Sequence, residues 1–428
     1  MLTKSYVHGA CRTPLIGETI GAFFDQAAER WRDREALVVR HQAIRWTYGE
    51  LQRRVDAFAA GLLALGLRSG DRIGIWSPNN AEWVITQFAT AKVGLILVNI
   101  NPAYRSNELE YALNKVGCKA LITAAAFKTS NYIDMLTTLM PEIATSRPGC
   151  LASNRVRSLT TLICIGADPP GFFRFDAVPA LAETYHHLLV VKTGAALQFD
   201  DPISIQFTSG TTGSPKGATL SHHNILNNGF FQGEAMGLTP HDRFCIPLPL
   251  YHCGGMVNGN LACITHGSAM VFPSEWFDPP ATLETIEAEL CTVLAGVPTM
   301  FIAQLDHPRF AEFDLRSLRT GWMGGAPCPV EVMRRCISDM HLRDLTIIFG
   351  MTETSPVCLQ TATDDPLERR VGSVGRIHPH VEVKVVDAEG RIVPPGTPGE
   401  FLTRGYSVMI GYWNDEERTH EAIDTRPL

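Results

Sequence analysis

No basic block and no Lys/Arg-rich stripe occurs anywhere in the chain; charged residues make up 19% and the formal net charge is −7. The electrostatic footprint needed to hold a nucleic-acid backbone is missing, which excludes DNA and RNA as partners. No Cys-x-x-Cys pair occurs either. The 11 cysteines are scattered from Cys11 to Cys358, which argues against a zinc site or a disulfide framework and predicts reduced thiols in a cytoplasmic protein. The longest uninterrupted apolar run, Ala57–Leu67, is too short to cross a bilayer, so no transmembrane segment is expected. Met1–Leu15 is broken by Lys4, His8 and Arg12 and lacks the apolar core of a secretory signal. There is no internal repeat and no low-complexity tract. With 428 residues, 45% of them hydrophobic, the chain can bury more than one packed unit.

The most informative stretch is Thr208–Gly217, T-S-G-T-T-G-S-P-K-G, delivered by the β-branched run Ile203–Phe207. Gly210, Gly213, Gly217 and Pro215 exclude helix and let backbone approach a ligand closely. The hydroxyls of Thr208, Ser209, Thr211 and Thr212 can donate to phosphate oxygens, and Lys216 adds a mobile positive charge. This is the chemistry of a polyphosphate cradle. It is not the common P-loop, which would need Gly at position 215 and Ser or Thr at 217, where this chain has Pro215 and Gly217. A flexible Ser/Thr/Gly linker is the alternative; the preceding strand and the lysine in register argue against it.

Four further segments accompany it: Pro247–Gly255 (P-L-P-L-Y-H-C-G-G), Gly324–Pro329 (G-G-A-P-C-P), Phe349–Pro356 (F-G-M-T-E-T-S-P) and Gly399–Trp413 (G-E-F-L-T-R-G-Y-S-V-M-I-G-Y-W). Together and in this order the segments resemble the adenylate-forming superfamily of acyl-CoA synthetases, peptide-synthetase adenylation domains and luciferases. The resemblance implies that Thr208, Ser209, Gly210, Thr211, Thr212, Gly213 and Lys216 cradle ATP phosphates. It implies that Gly324, Gly325, Ala326 and Pro327 form one wall of an adenine slot and Phe349, Gly350, Met351 and Thr352 the other. Phe349 stands where the family often has Tyr; stacking survives without the hydroxyl.

A carboxylate is a poor electrophile. Attack by its oxygen on the α-phosphorus of ATP makes an acyl-AMP and releases pyrophosphate, after which a thiol displaces AMP. Both partners of the first step are anions, so charge must be neutralised. The resemblance assigns Mg²⁺ to Glu353 with the Thr208 hydroxyl, Thr352 to the α-phosphate, and Lys216 to the departing phosphates. His252 is assigned to the carboxylate end of an acyl pocket. It could equally be a packed core histidine, and it need not be a base because the acid is already ionised near neutral pH. Gly254 and Met256 follow it, and Phe230, Phe231, Val297, Met300 and Trp322 are further apolar candidates to line that pocket. Each of these could be ordinary core. Some long-chain members place a bulky aromatic near Met256, so its absence leaves chain length open. His222-His223 lacks metal-ligand partners and reads as non-catalytic.

Tyr48–Gly66 repeats Leu51, Val55, Phe58, Leu62 and Leu65 at helical spacing. The strand Asp71–Trp76, the helix Ala81–Lys92, the strand Leu95–Asn99, the helix Glu108–Val116 and the strand Ala120–Thr123 follow. This alternation predicts an α/β fold with mainly parallel, doubly wound sheets. Ile143–Arg157 is patternless and reads as a surface insertion. Val381–Val386, Arg391–Val393 and Phe401–Thr403 read as a small antiparallel unit. The resemblance implies two α/β subdomains, approximately residues 1–159 and 160–355, a β-barrel subdomain, 356–428, and a nucleotide site where they meet. Family members continue past Trp413 with a Gly-Asp motif, a hinge and a mobile domain carrying a catalytic lysine. The expectation is therefore the large N-terminal domain of an AMP-forming fatty acyl-CoA synthetase, weakly active or inactive alone, using ATP, CoA and a medium-chain acid and able to form a homodimer. A ligase for aryl or other acids, one that loads a carrier protein, and a non-catalytic nucleotide-binding module are the competing readings.

Overall fold

The helix Tyr48–Ala64 shows how local sequence sets this architecture. Leu51, Val55, Phe58 and Leu62 recur on one face and are fully buried or nearly so. Thr47 caps the start: its hydroxyl accepts from the Glu50 amide at 3.2 Å while the Glu50 carboxylate accepts from the Thr47 amide at 2.8 Å, which satisfies two donors that a helix start leaves orphaned. The helix Ala81–Val93 starts on the Asn80 side chain in the same manner and is buried on nearly every side. The computed structural model describes residues 3–208 and 215–424, which form two units.

The first unit comprises Glu18–His222, Pro249–His252 and Ile410–Leu428. Its eight-stranded sheet runs in the order Phe173–Arg174, Thr161–Ile165, Ala120–Ala124, Arg72–Trp76, Ile96–Asn99, Pro202–Thr208, Lys216–Ser221, Gly411–Tyr412. The strands from Phe173 to Thr208 are parallel to their neighbours; the last two are antiparallel additions. Helices such as Ser106–Val116 and Tyr132–Leu139 cover one face, where Leu109, Leu113, Val116, Tyr132 and Leu136 meet Val98, Leu121 and Leu162 in one core. Residues 143–157 are not a mere surface insertion. Ile143, Leu151 and Val156 are buried in that same core, and the Glu142 carboxylate receives the amide and side chain of Asn154. Three apolar anchors at irregular spacing hold the loop down.

The second unit comprises Met1–Gly17, His223–Leu248 and Cys253–Met409. Ala269–Phe272, Arg243–Cys245, Val293–Gly296, Thr320–Gly324 and Asp344–Gly350 lie side by side in parallel. Val357–Gln360 and Arg376–Ile377 extend that sheet antiparallel. A separate three-stranded antiparallel sheet joins Tyr6–His8, Val381–Val386 and Glu400–Gly405. The helix His222–Met236 runs from the end of the first unit's strand Lys216–Ser221 into this unit.

Candidate active site

In the first unit, Pro202–Thr208 and Lys216–Ser221 pair antiparallel with Thr208 opposite Lys216. The segment between Thr208 and Lys216 is thus the connection of a hairpin; Ser209, Gly210, Thr211, Thr212 and Gly213 lie outside the described residues. Both ends of the loop are tied down. The Tyr111 hydroxyl donates to the Pro215 carbonyl at 3.1 Å, and the Trp413 amide donates to the Gly217 carbonyl at 2.8 Å. The Lys216 ammonium lies 4.5 Å from the centroid of the Tyr412 ring, a cation–π contact that parks the charge beside the loop. Sequence reasoning missed both tyrosines. The signal for Tyr412 was the G-Y-W that ends the last motif; nothing local marked Tyr111.

His252 also belongs to the first unit. Its segment is set by the Asn79 side chain, which accepts from the Leu250 amide at 2.8 Å, and by the turn bond from the His252 amide to the Pro249 carbonyl at 3.2 Å. Solvent reaches the ring, yet protein crowds it enough for desolvation to lower its pKa below the ordinary histidine value. Near neutral pH it is a neutral donor or acceptor, not a fixed positive charge.

In the second unit three parallel strands deliver their carboxyl ends to one edge: Gly296 lies in register with Met323, and Gly324 with Ile348. Val297, Gly325-Ala326-Pro327 and Met351–Thr354 therefore emerge side by side, at the strand edge where open α/β sheets bind ligands. Gly325 has φ +79°, and a Cβ there would sit 3.2 Å from Val297 Cγ1, so Val297 lies against the glycine-rich loop. Phe349 is 38% exposed, unusual for a phenylalanine at the end of a buried strand, and meets Phe401 edge to face at 5.8 Å. A Cβ on Gly350 would lie 1.8 Å from the Pro356 carbonyl oxygen; the turn's own backbone requires glycine there.

Thr352–Thr354 form a single 3₁₀ turn. The buried Thr354 hydroxyl accepts from the Met351 amide at 3.1 Å and donates to the Pro356 carbonyl at 2.8 Å, while Thr352 and Glu353 are half-buried. The Glu353 carbonyl accepts from the Met409 amide at 2.9 Å. Among the apolar candidates, Phe231 is buried in a core with Cys358, Leu359, Val381 and Tyr406, with Phe230 packed at its edge and stacked on His266. Gly254 and Met256 are buried where a short helical turn, Cys253–Gly255, passes into the π-helical turn Met256–Leu261. Met300 and Trp322 are buried as well; Trp322 faces Ala295 in register, one residue before Gly296, whose α-carbon Met300 overhangs. The His222 and His223 rings bond backbone, at Ile20 and Ile16 respectively.

Parallel sheets with ligand-type loops at the carboxyl ends of their strands are the layout of nucleotide-handling α/β enzymes. The AMP-binding enzyme family matches residues 24–413, and the chain belongs to that family, among the relatives that make up the adenylate-forming acyl-CoA ligases. The medium-chain acyl-CoA ligase ACSF2, mitochondrial, of Danio rerio is 47% identical over 425 residues, 99% of this chain and 70% of the relative. Two solved structures agree in fold. The anthranilate CoA ligase AuaEII in complex with anthranoyl-AMP has a TM-score of 0.84 at 23% identity, over 96% of this chain and 74% of that one. The inhibitor-bound N-terminal domain of FACL13 from Mycobacterium tuberculosis has a TM-score of 0.81 at 23% identity, over 95% of this chain and 94% of that domain. Among the described residues no helix is long and apolar enough to cross a membrane.

Proposed function

We propose that the chain supplies the ATP- and acid-binding part of a medium-chain fatty acyl-CoA synthetase, which makes acyl-AMP and then acyl-CoA. The observation that carries this reading is the 47% identity, over nearly the whole chain, to a relative named for medium-chain acyl-CoA ligation. Thr208, the 209–213 loop and Lys216 hold the ATP phosphates, and Lys216 leaves its Tyr412 contact to balance the charge of departing pyrophosphate. Thr352 donates to the α-phosphate. Phe349, Gly350 and Met351 hold adenine against Gly324, Gly325, Ala326 and Pro327.

Glu353 and the Thr208 hydroxyl are hard oxygen donors, the set that Mg²⁺ takes. Among the described residues no cluster of three metal-ligating side chains occurs; Mg²⁺ needs only one or two carboxylates when substrate phosphates complete its shell. When bound, Mg²⁺ would neutralise charge on the phosphates. Neutral His252 orients the acid carboxylate without competing for a proton, and Gly254, Met256, Phe230, Phe231, Val297, Met300 and Trp322 line the way for its chain. CoA is the thiol acceptor. All 11 cysteines are free, which suits a reducing compartment; the cytoplasm and the mitochondrial matrix are alike in that respect.

The test is a panel of acids in a pyrophosphate-release assay. In a hydrophobic pocket each added CH₂ strengthens binding by up to about 0.8 kcal/mol until the pocket ends. kcat/KM should climb through the short straight-chain acids and level off or fall beyond medium chains. A preference for benzoates or dicarboxylates overturns the assignment.

A further inference from the structure

The helix His222–Met236 carries three asparagines in its first two turns, Asn224, Asn227 and Asn228. Asparagine is a poor helix former because its amide competes for backbone bonds, so three buried copies on one helix need a tertiary reason. Each binds backbone of another segment. Asn228 donates to the Val357 carbonyl at 2.7 Å and accepts from the Val357 amide at 3.1 Å, occupying both polar groups of one residue as a neighbouring strand would. Asn224, one helical turn earlier, donates to the carbonyls of Tyr406 and Val408. Asn227 holds the amide and carbonyl of Ile16.

The segments held by Asn224 and Asn228 are the two that flank Glu353. Val357 follows the Thr352–Thr354 turn. Tyr406–Val408 leads into Met409, whose amide donates to the Glu353 carbonyl at 2.9 Å, and the Ser355 hydroxyl donates to the Ser407 carbonyl at 2.7 Å. The Glu353 turn is thus bonded between two stretches of backbone, and both are fastened to one helix by side-chain amides a turn apart. An asparagine amide suits this because it offers a donor and an acceptor on a short stem.

We propose that Asn224 and Asn228 are positioning residues for Glu353. They fix the backbone that aims its carboxylate, although neither touches ligand. The inference rests on the assignment of Glu353 to Mg²⁺ made above. Mg²⁺ demands near-octahedral geometry, and groups that orient a metal ligand are typically worth 10–100-fold in metal affinity. The two asparagines should therefore matter for Mg·ATP and hardly at all for AMP, which has no bridged phosphates.

Two measurements on Asn224→Ala, Asn228→Ala and Asn227→Ala test this. Without ligand, hydrogen exchange at the Met409 amide should accelerate in the first two variants, with the Val357 amide following only in Asn228→Ala, and both should stay at the wild-type rate in Asn227→Ala. By calorimetric titration, Asn224→Ala and Asn228→Ala should lose about tenfold in Mg·ATP affinity with AMP affinity nearly unchanged, while Asn227→Ala keeps both. Where Asn228→Ala does not fold, Asn224→Ala, which leaves the Val357 pair intact, carries the test. Unchanged exchange at Met409, a parallel loss of ATP and AMP affinity, or an equal loss in Asn227→Ala overturns the proposal. A wild-type protein that binds ATP equally with and without Mg²⁺ overturns the Glu353 assignment instead, and the exchange rates still decide whether the asparagines hold the turn.

Discussion

Lowering the pH should destabilise the protein partly through one buried imidazole, His222. The residue is fully buried, and its Nδ1 accepts the Ile20 amide at 3.1 Å. The neutral ring therefore keeps its proton on Nε2, which has no hydrogen-bond partner among the described residues. Burial pushes its pKa down to about 3. Between that value and the ordinary value near 6.5, the unfolded chain binds a proton that the folded chain refuses, so stability falls as pH falls. From about pH 7 to about pH 5 the loss from this one group is about 2 kcal/mol, the logarithm of the extra protonation of the unfolded state. His222→Asn keeps an acceptor close to the place of Nδ1 and removes the titration. The variant should be less stable near neutrality, because it packs less well, by about 1 kcal/mol. The gap should close, or reverse, by about pH 5. Carboxylates such as Asp365, held low against desolvation by the Ala362 amide and Arg376, titrate alike in both proteins and cancel. Urea unfolding followed by circular dichroism at several pH values measures the two curves. Parallel curves would refute the reasoning.

Three other outcomes are expected. Glu353→Gln should weaken the Mg²⁺ dependence of ATP binding more than it weakens AMP binding; calorimetry showing Mg²⁺-independent ATP affinity in both proteins would remove Glu353 from the metal site. Gly350→Ala would force a Cβ to within 1.8 Å of the Pro356 carbonyl oxygen, so the Glu353 turn must shift and stability should drop by about 2 kcal/mol or more; an unchanged melting temperature contradicts that geometry. Asp242→Ala removes the buried carboxylate shared by Arg319, Thr292 and Thr239 and should cost about 3 kcal/mol in denaturant unfolding, most of it from leaving partners unpaired, whereas a change below about 1 kcal/mol would mean that solvent replaces the carboxylate.

Much of this protein is written in local sequence. The T-Y-G-E start of the helix at Tyr48 and its apolar face are legible because capping and helical periodicity act over a few residues. The strand that leads into Thr208, and the strand that ends at Phe349-Gly350, are legible for the same reason: a β-branched run followed by glycine and hydroxyl residues has few other conformations. The family was legible too, since its motifs are contiguous. Tertiary structure alone decided that Thr161–Ile165, Pro202–Thr208, Lys216–Ser221 and Gly411–Tyr412 join the sheet begun by Arg72–Trp76. Strand pairing is a contact between segments far apart in the chain, and periodicity carries no address for its partner. The same holds for residues 143–157, whose buried Ile143, Leu151 and Val156 follow no period because the core they fill is built by other segments. Tyr111, Asn224 and Asn228 look like ordinary helix residues until folding brings Pro215, Tyr406 and Val357 to them. A side chain that acts on distant backbone has no local signature, because the group that gives it meaning lies elsewhere in the chain.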